Sequence, residues 1–173
     1  MEMNYCRRCG LALISSELDV YTCANGHTIY LNAAPAASLW ILNDANEVLV
    51  ATRAHEPGLG AFDSPGGFND GAETFEGAIA REIQEEIGLS PADYTKPVYI
   101  LSGIDTYSFG SEDVKVLSNV YWARIIGTPT MTPGDDVADV RFIPIDTINP
   151  DDIFFDAPRA GFIALRDNGL YNT

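Results

Sequence analysis

The stretch GFNDGAETFEGAIAREIQEEIGL, residues 67–89, concentrates negative charge in a chain that is already acidic. The full chain of 173 residues has 25 acidic and 10 basic residues, which gives a formal net charge of −15. Within the stretch, Arg81 is the single basic residue. The carboxylates are those of Asp70, Glu73, Glu76, Glu82, Glu85 and Glu86. Solubility alone does not require this spacing of like charges, which therefore points to a chemical role.

The same stretch predicts an amphipathic helix over residues 75–87. Thr74 is placed to cap its first turn, and Gly88 is placed to end it. Apolar side chains recur at every fourth position and predict a stripe that faces a sheet. The stripe consists of Phe75, Ile79, Ile83 and Ile87.

Three glutamates of this helix, Glu82, Glu85 and Glu86, stand three and four positions apart and share one face beside the apolar stripe. Like charges at this spacing destabilise a helix by roughly 0.2–0.5 kcal/mol per pair, and only Arg81 is spaced to offset one of them. The ordinary alternative is a solvated charged face. Carboxylates late in a helix, where the helix dipole also disfavours anions, instead predict a cation site, and oxygen ligands select Mg²⁺ or Mn²⁺.

All three cysteines lie within the first 23 residues, as Cys6 and Cys9 in a CxxCG pair and Cys23 four residues before His27. Without an export signal, clustered cysteines favour a metal site over disulfides. The CxxCG turn directs two thiolates at one ion, and Cys23 with His27 completes a tetrahedral set for structural Zn²⁺. The alternative is that the thiols are small buried residues without an ion. We expect a zinc ribbon over residues 1–32 and a main domain over residues 33–173.

Length and composition describe an ordinary globular protein with one main domain. No run approaches the roughly 20 apolar residues that a membrane span needs. The start MEMNYCRRCG lacks the apolar core of a secretory signal, so we expect a cytoplasmic protein. The excess of acidic charge repels a phosphate backbone, so nucleic acid is not an expected partner. A zinc-ribbon nucleic-acid adaptor conflicts with this charge.

Apolar runs predict strands at residues 36–42, 47–53, 97–104, 114–126 and 140–145, and a last helix at residues 158–167. The segment 54–67, rich in glycine and proline, is predicted as a loop with a short apolar interruption at Ala61 and Phe62. Strands and helices do not alternate regularly. This pattern favours an α/β (α+β) fold with a mixed sheet over a doubly wound parallel sheet.

Gly67, Glu73 and the segment REIQEEIGL at residues 81–89 fill every fixed place of the Nudix box, G-x5-E-x7-R-E-U-x-E-E-x-G-U, where U is a bulky aliphatic residue. The chain therefore resembles the Nudix hydrolase family. The preceding SPGGF and ATRAHEPGLGAF also resemble the lead-in to the box in this family. The cysteine pair followed by YLNAAPAAS is similar to the zinc-ribbon members, which include NADH pyrophosphatase-like and ADP-ribose pyrophosphatase-like proteins.

The resemblance implies an α/β/α sandwich around a mixed sheet and hydrolysis of a nucleoside diphosphate linked to a further group. It places Glu82, Glu85 and Glu86 at the metal positions of the box. It implies that Gly67 offers its backbone carbonyl to the metal, and that Glu73 and Arg81 brace the loop and helix. Dimers are common among such relatives, so a homodimer is an expectation, although the sequence shows no interface.

The resemblance leaves the general base open. Glu85 is one candidate, and the segment GDDVADV supplies further ones in Asp135, Asp136 and Asp139. Family members often carry glutamate near Asp136, so the shorter aspartate puts this role in doubt. A solvated loop charge is the alternative interpretation of Asp136.

The sequence indicates the type of reaction more precisely than the identity of the substrate. The leading interpretation is a Mg²⁺-dependent diphosphatase acting on ADP-ribose, NADH or FAD-like dinucleotides, ahead of nucleoside triphosphates. A catalytically silent nucleotide-binding module is the alternative from another class, although every box glutamate is present. Arg53 is a candidate phosphate-binding residue, because the family's lead-in often has arginine there, or else a solubilising charge. Plausible base-stacking residues, none of them assigned to a site, are Trp40, Phe62, Tyr107, Phe109 and Phe142.

Overall fold

The computed structural model describes residues 3–15, 19–134 and 136–169. Near the amino terminus, three short strands form an antiparallel sheet: β1 (Leu13–Ser15), β2 (Val20–Cys23) and β3 (Thr28–Tyr30). Around it, Cys6, Cys23 and Ile29 form a small buried cluster of their own. The predicted boundary between residues 32 and 33 falls after this sheet and stays a prediction.

The larger sheet has seven strands in the order β10-β5-β4-β9-β8, with β6 added to β5 and β7 added to β4. The strands are β4 (Ala34–Leu42), β5 (Glu47–Arg53), β6 (Phe62–Asp63), β7 (Gly66–Phe68), β8 (Val98–Phe109), β9 (Glu112–Arg124) and β10 (Val137–Pro144). Strands β4 and β9 pair in parallel, and the other pairs are antiparallel. The predicted mixed sheet is therefore confirmed.

Helices α1 (Phe75–Ile87) and α2 (Asp156–Asp167) cover opposite faces of this sheet. On β4, Leu39 and Ile41 belong to the core cluster that contains Ile83 of α1. The alternate residue Trp40 belongs to the cluster that contains Phe162 of α2. Because successive side chains of a strand point to opposite faces, the two clusters lie on the two sides of β4, and the sandwich is confirmed.

Helix α1 has the bounds that the sequence predicts. The hydroxyl of Thr74 accepts a hydrogen bond from the N–H of Gly77 at 3.2 Å, and Gly88 ends the helix in the left-handed region at φ 77°. Ile79, Ile83 and Ile87 are fully buried. The N-cap residue, the apolar stripe and the terminal glycine predicted from the sequence therefore all agree with the structure of α1.

The other elements differ from the prediction in detail. The segment predicted as a loop, residues 54–67, contains β6 and the first two residues of β7. These strands are too short to carry a periodic pattern and exist through pairing with β5 and β4. Helix α2 begins at Asp156 rather than Pro158. A proline in the first helical turn is compatible with this start, because the N–H groups there have no partner within the helix. In the described residues, neither helix is long and apolar enough to span a bilayer.

Two 3₁₀ turns, Ile145–Thr147 and Pro150–Asp152, lead from β10 to α2. Ile145 and Ile153 of this connection are buried against the α2 side of the sheet. The connection thus fixes the start of α2 near the end of the sheet where β6 lies, through a bridge between Phe62 and Ile153.

Replacing Ile83 by alanine should lower the free energy of unfolding by about 2–5 kcal/mol, because the fully buried side chain leaves a cavity between α1 and the sheet. Gln84→Ala is the matched control, since Gln84 is the exposed neighbour on the same helix and should change stability by less than about 0.5 kcal/mol. Denaturant unfolding of both variants checks the prediction. Equal stability of the two would contradict the packing described for α1.

Candidate active site

A cavity of about 290 Å³ lies where β7 and α1 meet the ends of β5 and β8. Its acidic side is lined by Asp63, Glu82, Glu86 and Asp136. An adjoining cavity shares Glu82, Glu86 and Asp136 and adds Glu85 and Gly134. The structure thus brings the three predicted helix glutamates to one place, together with an aspartate from the loop before β10.

Arg81 is the cationic centre of this region. Its Nη2 donates to Glu73 at 3.1 Å, and its Nη1 donates to Glu82 at 2.8 Å and to Glu85 at 3.2 Å. Asp70 lies within 3.9 Å of its Nε. The sequence predicts only the pairing with Glu85, so a single guanidinium offsets more carboxylates than expected.

Arg81 also joins the helix to the strand that precedes it, since its Nη2 donates to the backbone carbonyl of Phe68 at 2.8 Å. Its hydrogen bonds lower the pKa of Glu73, whose carboxylate also accepts from the N–H of Asp70. The same contacts, with Glu73 foremost, keep the pKa of Arg81 above its usual range. Glu73 and Arg81 therefore connect the 67–74 loop to α1.

The backbone of β7 passes directly against the helix carboxylates. A Cβ at position 67 would overlap the carboxylate of Glu82 where it now lies, so glycine lets this carboxylate lie against the backbone of β7. At position 66, φ is 147° and a Cβ would overlap the backbone of β4 at Ala37. The two glycines of the SPGG segment thus allow strand, helix and neighbouring strand to meet at van der Waals distance.

Among the carboxylates of this cavity, Glu86 has the most strongly raised pKa. It accepts a hydrogen bond from the N–H of Gly66 at 2.8 Å. Burial first, and then the nearby carboxylates of Glu82, Asp63 and Asp136, raise the pKa of Glu86 to about 8, against the effect of the Gly66 bond. Burial also raises the pKa of Glu82, despite its bonds with Arg81. Both groups are therefore harder to ionise than an ordinary glutamate, and a dication bound beside them would lower that cost.

Glu85 and Asp136 are the more exposed acids at the entrance. The side chain of Glu85 is 60% exposed, and that of Asp136 is 79% exposed with an oxygen 4.0 Å from Nε2 of His55. Asp139 pairs with Arg141 instead. Asp135 lies outside the described residues.

Asp63 is a cavity residue that the sequence analysis missed. Its side chain is 13% exposed, and Nη1 of Arg53 donates to it at 2.9 Å. Burial raises the pKa of Asp63 to about 6, although Arg53 opposes the shift. The ion pair joins residues ten positions apart across the glycine- and proline-rich segment. In the sequence, the available signal is an aspartate directly after Phe62, in the apolar interruption of the predicted loop. It follows ten residues after an arginine that ends a predicted strand.

Arg53 is held in place by several partners. Its Nε donates to the carbonyl of Pro57 at 2.6 Å, and its guanidinium lies 4.9 Å from the ring centroid of Phe155. Its side chain is 17% exposed and lines the cavity. Arg53 is therefore a fixed part of the cavity wall, in contrast to a freely solvated charge.

The aromatic candidates separate into core and cavity residues. Trp40 is fully buried, and its Nε1 donates to the carbonyl of Pro158 at 3.1 Å. Phe62 and Phe142 pack against the two cores. Tyr107 lines the cavity, and Phe109 contacts it at 4.6 Å between ring centroids.

The four predicted zinc ligands come together near the amino terminus. The Sγ of Cys6 lies 3.5 Å from Nδ1 of His27, and the Sγ atoms of Cys9 and Cys23 are 3.7 Å apart. All four ligand atoms lie within 4.8 Å of one another. Hydrogen bonds from backbone N–H groups, Arg8 first, lower the pKa of the Cys6 thiol to about 6.

The two groups of potential metal ligands differ in how complete they are. Among residues 3–15, 19–134 and 136–169, one group of three or more Cys, His, Asp or Glu side chains lies close enough together to hold a metal ion without rearrangement. This group is the Cys₃His set. The acidic side of the cavity, formed by Asp63, Glu82, Glu86 and Asp136, offers carboxylate oxygens, which suit a hard dication. Its carboxylates share a space, and they would have to converge around an ion.

Comparison with known proteins gives consistent matches. The NUDIX domain model matches residues 32–164. The ADP-ribose pyrophosphatase of Methanocaldococcus jannaschii is 32% identical over 124 residues, which cover 70% of this chain and 68% of that protein. The 8-oxo-dGTP diphosphatase of Escherichia coli is 36% identical over 56 residues, 32% of this chain and 43% of that protein. A NUDIX hydrolase structure from Nitrosomonas europaea aligns with a TM-score of 0.68 at 22% identity, covering 96% and 94% of the two chains.

Replacing Glu86 by glutamine should make stability less dependent on pH. Because the pKa of Glu86 is raised to about 8 in the folded chain, its stabilising contribution is present at low pH and is lost as the pH rises toward 8. Between pH 5.5 and 8, without added divalent cations, the wild-type chain should lose about 2–3 kcal/mol more than Glu86→Gln. Denaturant unfolding at both pH values measures this difference. Parallel losses in the two proteins would show that Glu86 ionises normally.

Proposed function

The chain belongs to the NUDIX family of hydrolases, and we propose that it hydrolyses the pyrophosphate bond of a nucleoside diphosphate derivative in a Mg²⁺- or Mn²⁺-dependent reaction. The observation that carries this proposal is the pair of shielded carboxylates, Glu82 and Glu86, against the backbone of Gly66 and Gly67. The relative from M. jannaschii makes ADP-ribose the first substrate to test. NADH and FAD-like dinucleotides follow.

The acidic cavity fits a divalent cation on physical grounds. Burial is the main reason why the pKa of Glu86 is about 8, and several nearby carboxylates add to the shift while one backbone N–H opposes it. A dication between Glu82 and Glu86 would favour their ionised forms and remove this repulsion. When bound, such an ion lowers the pKa of the attacking water and neutralises the pyrophosphate.

The surrounding residues receive separate roles in this proposal. Glu82, Glu85 and Glu86 hold the cation, and Gly67 contributes its backbone carbonyl. Arg81 and Glu73 fix the loop against the helix, so that these oxygens keep their positions. Glu85 and Asp136 are the candidates for the general base, because both lie exposed at the cavity where water can enter.

Arg53 contributes to the site in one of two ways. Its bonds to Asp63 and Pro57 support a role in positioning the cavity wall. Because it also lines the cavity, a contact between its guanidinium and a substrate phosphate stays a prediction.

Hydrolysis of a nucleoside triphosphate is the second candidate function. The match with the 8-oxo-dGTP diphosphatase of E. coli favours it, although that match covers 32% of this chain. A silent binding module has less support, because Glu82, Glu85 and Glu86 all meet at the cavity. The homodimer, the absence of nucleic-acid binding and the cytoplasmic location stay predictions.

A structural zinc ion is proposed for Cys6, Cys9, Cys23 and His27. Three thiolates and one imidazole form a closed tetrahedral set, which suits a structural site. The lowered pKa of Cys6 supports the proposal, because thiolates bind metal. The buried cluster around these residues is small, so an ion would supply much of the stability of the three-stranded sheet.

Replacing both Glu85 and Glu86 by glutamine should reduce kcat/KM at least about 100-fold, because the cation then loses two charged ligands. Glu76→Gln is the matched control, an exposed carboxylate in the first turn of the same helix that should keep wild-type activity. The assay follows release of nucleoside monophosphate from ADP-ribose, NADH, FAD and 8-oxo-dGTP with Mg²⁺. Full activity in the double variant would reject the metal assignment. Hydrolysis of the triphosphate alone would replace the proposed substrate class.

Purified protein should contain about one zinc ion per chain, and Cys9→Ser should lose it, because a closed site needs all four ligands. Elemental analysis measures the metal, and circular dichroism with and without chelator measures its effect on folding. Zinc-free protein that folds and unfolds as the untreated protein does would contradict the proposal.

A further inference from the structure

The three-stranded sheet of β1, β2 and β3 has two unlike faces. Side chains directly opposite each other on antiparallel strands point to the same side of a sheet, as do side chains two apart on one strand. Leu13 lies opposite Cys23, and Tyr21 lies opposite Ile29. These four residues pack in the buried cluster that contains Cys6. One face of the sheet is therefore covered by the predicted zinc site.

The other face of this sheet is open to solvent, and we name it the small-sheet face. Tyr5 belongs to it because it pairs with Ala12, which is two residues from Ile14. The side chains of Tyr5, Ile14 and Tyr30 are 65–71% exposed. None of the residues that form the face is charged. They are Tyr5, Ile14, Val20, Thr22, Thr28 and Tyr30.

A second uncovered surface lies on the larger sheet, on the side that carries α1. Helix α1 packs on β4 and β7, so the hairpin of β8 and β9 extends beyond it. On this side Ile104 lies opposite Leu117, and Tyr99 lies opposite Tyr121. Ile104, Tyr99 and Leu117 are 38–57% exposed. We name this surface the hairpin face, which is formed by Tyr99, Ser102, Ile104, Leu117, Asn119 and Tyr121.

Both faces are uncharged in a chain that has a formal net charge of −15. Two copies of such a chain repel each other over most of their surface, and the repulsion is weakest where carboxylates are absent. Open surfaces with several large apolar side chains mark sites of protein association. A second copy of this chain brings a matching uncharged surface to each face, so it can cover both.

Charges beside the two faces are complementary. Arg7 and Arg8 follow Tyr5 in the turn before β1, and both are exposed. The tip of the hairpin carries the exposed acids Glu112 and Asp113, with one base nearby in Lys115. A contact between the two arginines and the acidic tip would fix which end of one face meets which end of the other.

We propose that two copies of the chain form a dimer in which the small-sheet face of each covers the hairpin face of the other. The two contacts are equivalent by twofold symmetry. In each copy six large apolar or aromatic side chains now expose about 100 Å² each, so the dimer would bury roughly 1,200 Å², within the range of stable interfaces. The sequence shows no interface for the expected homodimer, and these two faces supply one. The contact does not depend on the proposed hydrolysis.

Light scattering of the full chain over a dilution series tests the proposal. Wild-type protein should have twice the mass of one chain. Tyr30→Asp and Ile104→Asp should each raise the dimer dissociation constant at least about 10-fold, because each places a carboxylate in an apolar contact. Ile126→Asp is the matched control, since Ile126 is 51% exposed beyond the opposite end of β9 and should keep the wild-type mass.

A wild-type chain that stays monomeric throughout the series would overturn the proposal, and so would a dimer that neither substitution weakens. Thermal unfolding of each variant shows whether its fold is kept. If Tyr30→Asp changes the unfolding, Tyr5→Asp takes its place on the same face.

Mixing the two variants shows which faces meet. The Ile104→Asp chain keeps an intact small-sheet face, and the Tyr30→Asp chain keeps an intact hairpin face. One contact of the wild-type kind can therefore form between unlike chains. An affinity tag on one variant should recover the other at a concentration where each variant alone is monomeric. A mixture without such heterodimers would reject the pairing of small sheet with hairpin, and a dimer through like faces would replace it.

Discussion

The candidate site depends on one constraint: the carboxylates around α1 must share a partly dry space with one guanidinium, that of Arg81, while Arg53 is paired with Asp63. Arg81 contacts Glu73, Glu82, Glu85 and Asp70, and Glu86 lies beyond its reach on a backbone N–H. Burial, together with the nearby carboxylates, raises the pKa of Glu86. A cation that binds beside these carboxylates during function would remove their repulsion and so explain why they lie close together.

The fold supplies the rigidity that keeps these charges in place. Three buried isoleucines fix α1 to the sheet, and the glycine backbone of β7 passes between helix and β4. Arg81 ties helix and strand together through the carbonyl of Phe68. On the other face of the sheet, Phe155, the residue before α2, lines the same cavity. The two layers of the sandwich thus meet at one site, each with a different chemistry.

The sequence predicts what depends on neighbouring residues and misses what depends on distant pairing. The bounds of α1 follow from Thr74, Gly88 and the isoleucine stripe, which all act within the helix. Spacing alone also indicates that Cys6, Cys9, Cys23 and His27 come together. Strands β6 and β7 are missed because two or three residues carry no periodicity, and their pairing partners lie elsewhere in the chain. The ion pair of Arg53 and Asp63, and the different exposure of Glu82 and Glu85, follow from that same pairing.

The most direct measurement is anomalous diffraction from crystals of this protein soaked in Mn²⁺. The proposed site predicts an anomalous peak within coordination distance of carboxylate oxygens of Glu82 and Glu86 and of the carbonyl oxygen of Gly67. A peak confined to other acidic surfaces, or no peak at fully soaked occupancy, would contradict the claim that these carboxylates are gathered to hold a dication.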